Sequence, residues 1–228
     1  MQMRKEREKK NHYSFNFKLS FNASMLALAI IFAYVSSLIR IPFFSNLSLT
    51  IDISVVFLIP VIYISSLASS LLLASVLSLI HFIWNPSNWI GILFLTITNI
   101  FTILIFYLLN LILNKTKLRS KKAKWLVIWL LIVPISMFLY SAINGILITP
   151  LYWWWFKAVN TINFIEVANY YNSVSNLRAY LLFINDYWTG IFSLYSFFNL
   201  IKFVLIAFFA VPLLIFFQFN LFTKELFN

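Results

Sequence analysis

The stretch FFNLIKF, Phe197 to Phe203, places an amide and an ammonium inside an apolar run that extends from about Ile191 to Phe219. Asn199 and Lys202 are three residues apart, so on a helix they share one face and form a forked set of hydrogen-bond donors. Such a set suits carbonyl oxygens or ring nitrogens of a small ligand. An ionisable group at the centre of a bilayer costs at least about 2.5–3.5 kcal/mol, so it normally faces a partner or a cavity. Snorkelling to the interface is the alternative for Lys202. Its distance from either end of the run favours a buried binding site.

Other polar residues interrupt apolar surroundings. Asp52 stands at the start of a hydrophobic block, where it either caps a helix or faces a site. Asn99 and Asn144 fall inside apolar stretches, where hydrogen bonding between helices explains them as well as ligand contact does. His81 falls near the end of its stretch and reads more naturally as an interfacial histidine than as a ligand. The machinery of an enzyme is missing. There is no HExxH, no G-x-S-x-G and no glycine-rich phosphate loop. The chain has no cysteine and two histidines, His12 and His81, too far apart in sequence to form a metal-ligand motif. The expectation is a protein that catalyses nothing itself, holds no metal and needs no cofactor.

The elements that must position these residues are membrane spans. The 228-residue chain is 62% hydrophobic, with a mean hydropathy of +0.91, more apolar surface than a water-soluble core can hide. Spanning helices need roughly 20 apolar residues. The pattern predicts spans at about 19–39, 52–64, 67–84, 89–113, 125–148 and 191–219. The block 51–84 is too long for one span, and SSLASS (Ser65 to Ser70) supplies a turn between two. Charge agrees with this division. Of 17 Lys and Arg, six precede residue 19 and six lie between Lys115 and Lys124, and both clusters read as cytoplasmic. An even number of crossings must then separate them. The prediction is an all-α integral membrane protein, a six-helix bundle over 19–223 with both termini cytoplasmic and a basic tail over 1–18. Nucleic acid is not expected, because the basic runs flank spans. A cleaved signal sequence would leave an odd number of helices and the wrong parity. A long segment, 152–190, lies outside and is too aromatic for a disordered linker. In the first span, Ala23, Ala27, Ala29 and Ala33 form two small-xxx-small pairs suited to docking a partner helix.

Four stretches resemble the substrate-binding (S) components of energy-coupling-factor (ECF) vitamin transporters, in particular the riboflavin-specific ones. LTIDISVV (Leu49 to Val56) is similar to the family's LDxSDVP, LSLIHF (Leu77 to Phe82) to its KNLLHF, and FFNLIKF to its PFNLIKG. NGILITPLY (Asn144 to Tyr152) matches a pattern of Asn followed by Pro-x-Tyr at the end of the fifth helix. Leu77 and Ser78 replace the family's Lys-Asn, and Phe203 replaces its glycine. The resemblance implies a plasma-membrane subunit that captures riboflavin at its outer face. Asn199 and Lys202 would contact the flavin, with Asp52, His81, Asn99, Asn144 and Tyr152 as further site residues. It also implies a transmembrane coupling subunit docked on the alanine face of the first helix, and two ATPase subunits that use the ATP. Another vitamin such as folate or thiamine is an alternative cargo, and a membrane scaffold without a small ligand is an alternative role.

Overall fold

The computed structural model describes residues 13–38, 40–44, 47–115 and 121–218. The basic stretch before residue 13, the centre of the basic loop (116–120) and the C-terminal end with Lys224 lie outside the described residues. Helix α1 (Phe15–Leu38) leads into a short antiparallel hairpin, β1 (Arg40–Phe44) with β2 (Leu47–Thr50). Two single turns follow, α2 (Val55–Leu58) and α3 (Val61–Ile64), then α4 (Leu67–Trp84), α5 (Trp89–Asn114) and α6 (Lys121–Ile143). A π-helical segment (Asn144–Ile148) joins α6 to α7 (Thr149–Trp155). Beyond it come α8 (Phe164–Ser173), a 3-10 turn (Ser175–Leu181) and α9 (Tyr187–Phe217). The hairpin is a departure from the all-α expectation.

Among the described residues, five helices are long and apolar enough to cross a membrane: α1, α4, α5, the continuous run from α6 through α7, and α9. The chain is therefore a multi-pass membrane protein. Many of its large exposed side chains are apolar, among them Ile31, Leu79, Ile83, Leu130, Phe197 and Phe208. That is a surface built to meet lipid, where every backbone group must be satisfied internally.

Several boundaries shift for identifiable reasons. Helix α1 begins four residues earlier than predicted, because the Ser14 hydroxyl accepts from the Phe17 amide at 3.2 Å. The predicted helix 52–64 is not continuous. Pro60 has no amide hydrogen to give, so the segment splits into α2 and α3. Nor does Pro150 end the fifth span. The turn before it widens to π geometry, the Thr149 amide reaches back to the Asn144 carbonyl, and the helix continues to Trp155. Helix α9 starts at Tyr187 because Asp186 caps it, accepting from the Thr189 amide at 2.8 Å.

Side-chain contacts tell which helix ends lie together. The Ser65 hydroxyl bonds Asn22 at 2.7 Å, Phe21 packs edge-on against Phe217, and the Trp125 indole donates to Gln218 at 2.8 Å. The start of α1, the end of α3, the start of α6 and the end of α9 therefore share one end of the bundle. At the other end, Tyr34 of α1 packs against Trp84 of α4. Tyr152 of α7 there bonds Asn88, the residue that caps α5.

The long segment 152–190 is not a loose surface strand. It builds a second hydrophobic core over the bundle's end, with Trp153 stacked on Tyr171 and both meeting Tyr187. The Tyr187 hydroxyl donates to the Gly145 carbonyl at 2.6 Å, which ties this cap to the π segment.

Candidate functional site

Helix α9 carries Lys202 at its sixteenth residue of thirty-one, midway along the helix. The side chain is only 6% exposed and Asn199 only 2%. Among the described residues the Lys202 ammonium has no hydrogen-bond or ion-pair partner, and it lies 5.8 Å from the centre of the Phe203 ring. The Asn199 amide nitrogen is buried without a hydrogen-bond partner, and so is that of Asn99 in α5. Unmade hydrogen bonds of this kind cost about 1–3 kcal/mol each, so these two donors stand open to an acceptor from outside the chain.

Sequence reasoning missed the pairing opposite this face. Asp52 is 5% exposed and His81 7%, and the His81 Nε2 lies 3.5 Å from the Asp52 Oδ2. That distance is long for a hydrogen bond and fits an ion pair. Asp52 does not cap α2 through the helix's own N-cap position, which is Ser54. Its Oδ1 accepts from the Ser54 amide at 2.7 Å, a local turn that fixes the carboxylate just before the helix. His81 is held from behind, with Nδ1 2.9 Å from the Leu77 carbonyl one turn earlier. It is a structured partner of Asp52, and the Trp84 indole covers it at 5.0 Å. Lys202 lies within electrostatic reach of Asp52, although no ion pair joins them within 4.0 Å. A signal for the pairing was present. Asp52 is the sole carboxylate between Glu8 and Glu166, and His81 the sole histidine after His12.

Tyr140 of α6 organises the wall beside Lys202. Its ring stacks on Phe203 at 5.3 Å, and its hydroxyl donates to the Thr98 carbonyl at 3.1 Å and meets the Thr102 hydroxyl at 2.8 Å. Asn99 follows Thr98 directly, so it enters the bundle at the same level. Asn144 is buried in the π segment, but its amide donates back to the Tyr140 carbonyl at 2.9 Å, so one of its groups is already used. Tyr152 does not join Lys202. It is bonded to Asn88 at the capped end and stacked on Phe156. The geometry therefore brings together Lys202 with Asn199, and Asp52 with His81, while Tyr152 belongs to the layer above. A separate shallow groove of about 420 Å³, lined by residues including Lys157, Thr161 and Glu166, lies within the cap.

The alanines of α1 divide between two faces. Ala29 and Ala33 are fully buried against this chain's own helices, so they are unavailable to a partner. Their small side chains serve close packing inside the bundle. Ala23 and Ala27 remain exposed.

A protein of Mycoplasma pneumoniae described as an uncharacterized homolog of MG350.1 is 46% identical over 215 residues, covering 92% of this chain and 91% of its own. The uncharacterized protein MG350.1 of Mycoplasma genitalium is 44% identical over 209 residues, with the same coverage of each chain. No family model and no solved structure matches the chain.

Proposed function

We propose that this chain, which belongs to the family of the Mycoplasma protein MG350.1, is the substrate-capturing subunit of an ECF-type vitamin transporter, with riboflavin as cargo. The observation that carries this reading is the buried Lys202, without a hydrogen-bond or ion-pair partner among the described residues, beside the unsatisfied amide of Asn199 on the same helix. A flavin's carbonyl oxygens and ring nitrogens are acceptors of the kind these donors lack. Asn99 would supply a further donor. In this reading the protein turns over no substrate of its own. A coupling subunit docks on α1 around Ala23 and Ala27, and two ATPase subunits supply the energy.

The reading includes six crossings of the plasma membrane with both termini in the cytoplasm. Contacts that put Ser65 beside Asn22, and Trp125 beside Gln218, support that alternation. The α2–α3 pair would be the short second crossing. Its ten residues reach only about 15 Å, so neighbouring helices must shield its ends. The basic clusters at residues 4–18 and 115–124 mark their side as cytoplasmic. The cap formed by 152–190 then lies outside, over the route to Lys202.

Folate is the second reading that a specific observation favours, since its carboxylates and pteridine oxygen would also suit a donor-rich face. Thiamine fits less well, because its ring carries a positive charge toward Lys202. The test is titration of the detergent-purified protein with riboflavin, folate and thiamine in turn, followed by tryptophan and flavin fluorescence. Saturable quenching by riboflavin is expected. A folded protein that binds none of the three would overturn the transport reading.

A further inference from the structure

We infer that Asp52 and His81 share a single proton that makes the pair electrically neutral, leaving Lys202 as an uncompensated cation that selects an acceptor or anionic face on the cargo. The inference deepens the capture reading above and rests on it for the cargo alone. It starts from the His81 ring. A backbone carbonyl can only accept, so the nitrogen 2.9 Å from the Leu77 oxygen, Nδ1, must carry hydrogen. The other nitrogen, Nε2, then faces the Asp52 carboxyl at 3.5 Å. Without a proton there, a lone pair would oppose a carboxylate oxygen in a buried site, which is repulsive where the dielectric is low. One proton therefore sits in the gap, either as imidazolium with carboxylate or as imidazole with carboxylic acid. Both arrangements sum to zero charge.

Among the described residues no other group supplies a counter-charge to Lys202. Of six acidic residues, Glu6, Glu8 and Glu225 lie outside the described residues and Glu166 is on the exposed cap helix α8. Asp186 caps the far start of α9, sixteen residues or about 24 Å away along the helix. The elements packed around Lys202 add tyrosine and asparagine but no carboxylate except Asp52. His81 is in this account a positioning residue. It keeps Asp52 engaged, and so keeps the ammonium open for a ligand.

Two arms test this. The first needs no ligand: nitrogen NMR of histidine-labelled protein carrying His12→Gln, so that His81 reports alone. A ring protonated at both nitrogens, or at Nδ1 alone beside an Asp52 carboxyl that carbon NMR shows protonated, is expected; a ring protonated at Nδ1 alone beside an ionised Asp52, or at Nε2 alone, would overturn the proton count. The second is a riboflavin titration. His81→Gln frees the Asp52 carboxylate to pair with Lys202 and is expected to weaken binding about tenfold or more, the scale of one charge-assisted contact. Adding Asp52→Asn to that variant removes the competitor and is expected to recover most of the lost affinity. Unchanged affinity in His81→Gln, or no recovery in the double variant, contradicts the inference. If the unaltered protein does not bind riboflavin, the cargo reading fails and the NMR arm still decides the protonation.

Discussion

Tyr140 is the residue on which the wall of the site depends. It joins α5 through Thr98 and Thr102 and stacks on Phe203 beside Lys202. Tyr140→Phe keeps the stack and removes the hydroxyl. Because Thr102 still bonds the Thr98 carbonyl at 2.6 Å, no acceptor is orphaned, and the loss should be about 1 kcal/mol, measured as a lowered unfolding midpoint in detergent. An unchanged midpoint would mean that the hydroxyl's bonds are replaceable by water. At this scale the sequence was informative about Lys202 and Asn199, since a charge in an apolar run is conspicuous. It singled out Asp52 and His81 by their rarity but not the contact between them. Twenty-nine positions separate the two residues, and the hairpin and the break at Pro60 set their register, neither of which residue types alone specify.

At the scale of elements, two features hold the cap to the bundle. Gly145 sits where a Cβ would come within 2.6 Å of the Trp188 ring and 3.0 Å of Ile191. Gly145→Ala should therefore destabilise by about 1–3 kcal/mol through overpacking, read by thermal unfolding; a neutral result would show that Trp188 swings aside. Asp186 caps α9, and the Thr189 amide and hydroxyl hold its carboxyl below the ordinary aspartate range. A lowered value stabilises the fold above the unfolded pKa of about 3.9 and is lost as pH falls through the folded one. The unfolding midpoint should thus drop below about pH 4, and this acid step should shrink in Asp186→Asn. The same Asp-x-x-Thr spacing was readable beforehand as a helix start, yet the apolar run after Ile191 drew the boundary too late. The second core over 152–190 was harder to see, because Trp153, Tyr171 and Tyr187 meet only after three turns of chain have folded back.

For the whole molecule, the absence of cysteine from the sequence makes orientation directly measurable. Single cysteines at Ser120 and at Thr161 should react differently with a membrane-impermeant maleimide added to intact cells. Thr161 in the cap should label and Ser120 in the basic loop should label only after lysis. Labelling of both from outside would break the six-crossing topology. Five spans were legible from length and hydropathy, and the lipid-facing exterior follows from the same residues. The short second passage was inferred from charge parity; over those residues the structure has two turns around a proline instead of one helix.

The central claim is that Lys202 is a ligand-binding cation, and its most direct test is the riboflavin affinity of Lys202→Ala beside that of the unaltered protein. Removing a charge-assisted contact of about 1.5–3 kcal/mol should weaken binding roughly ten- to a hundredfold, while the fold, relieved of a buried charge, stays intact. Equal affinity in the two proteins would contradict the account.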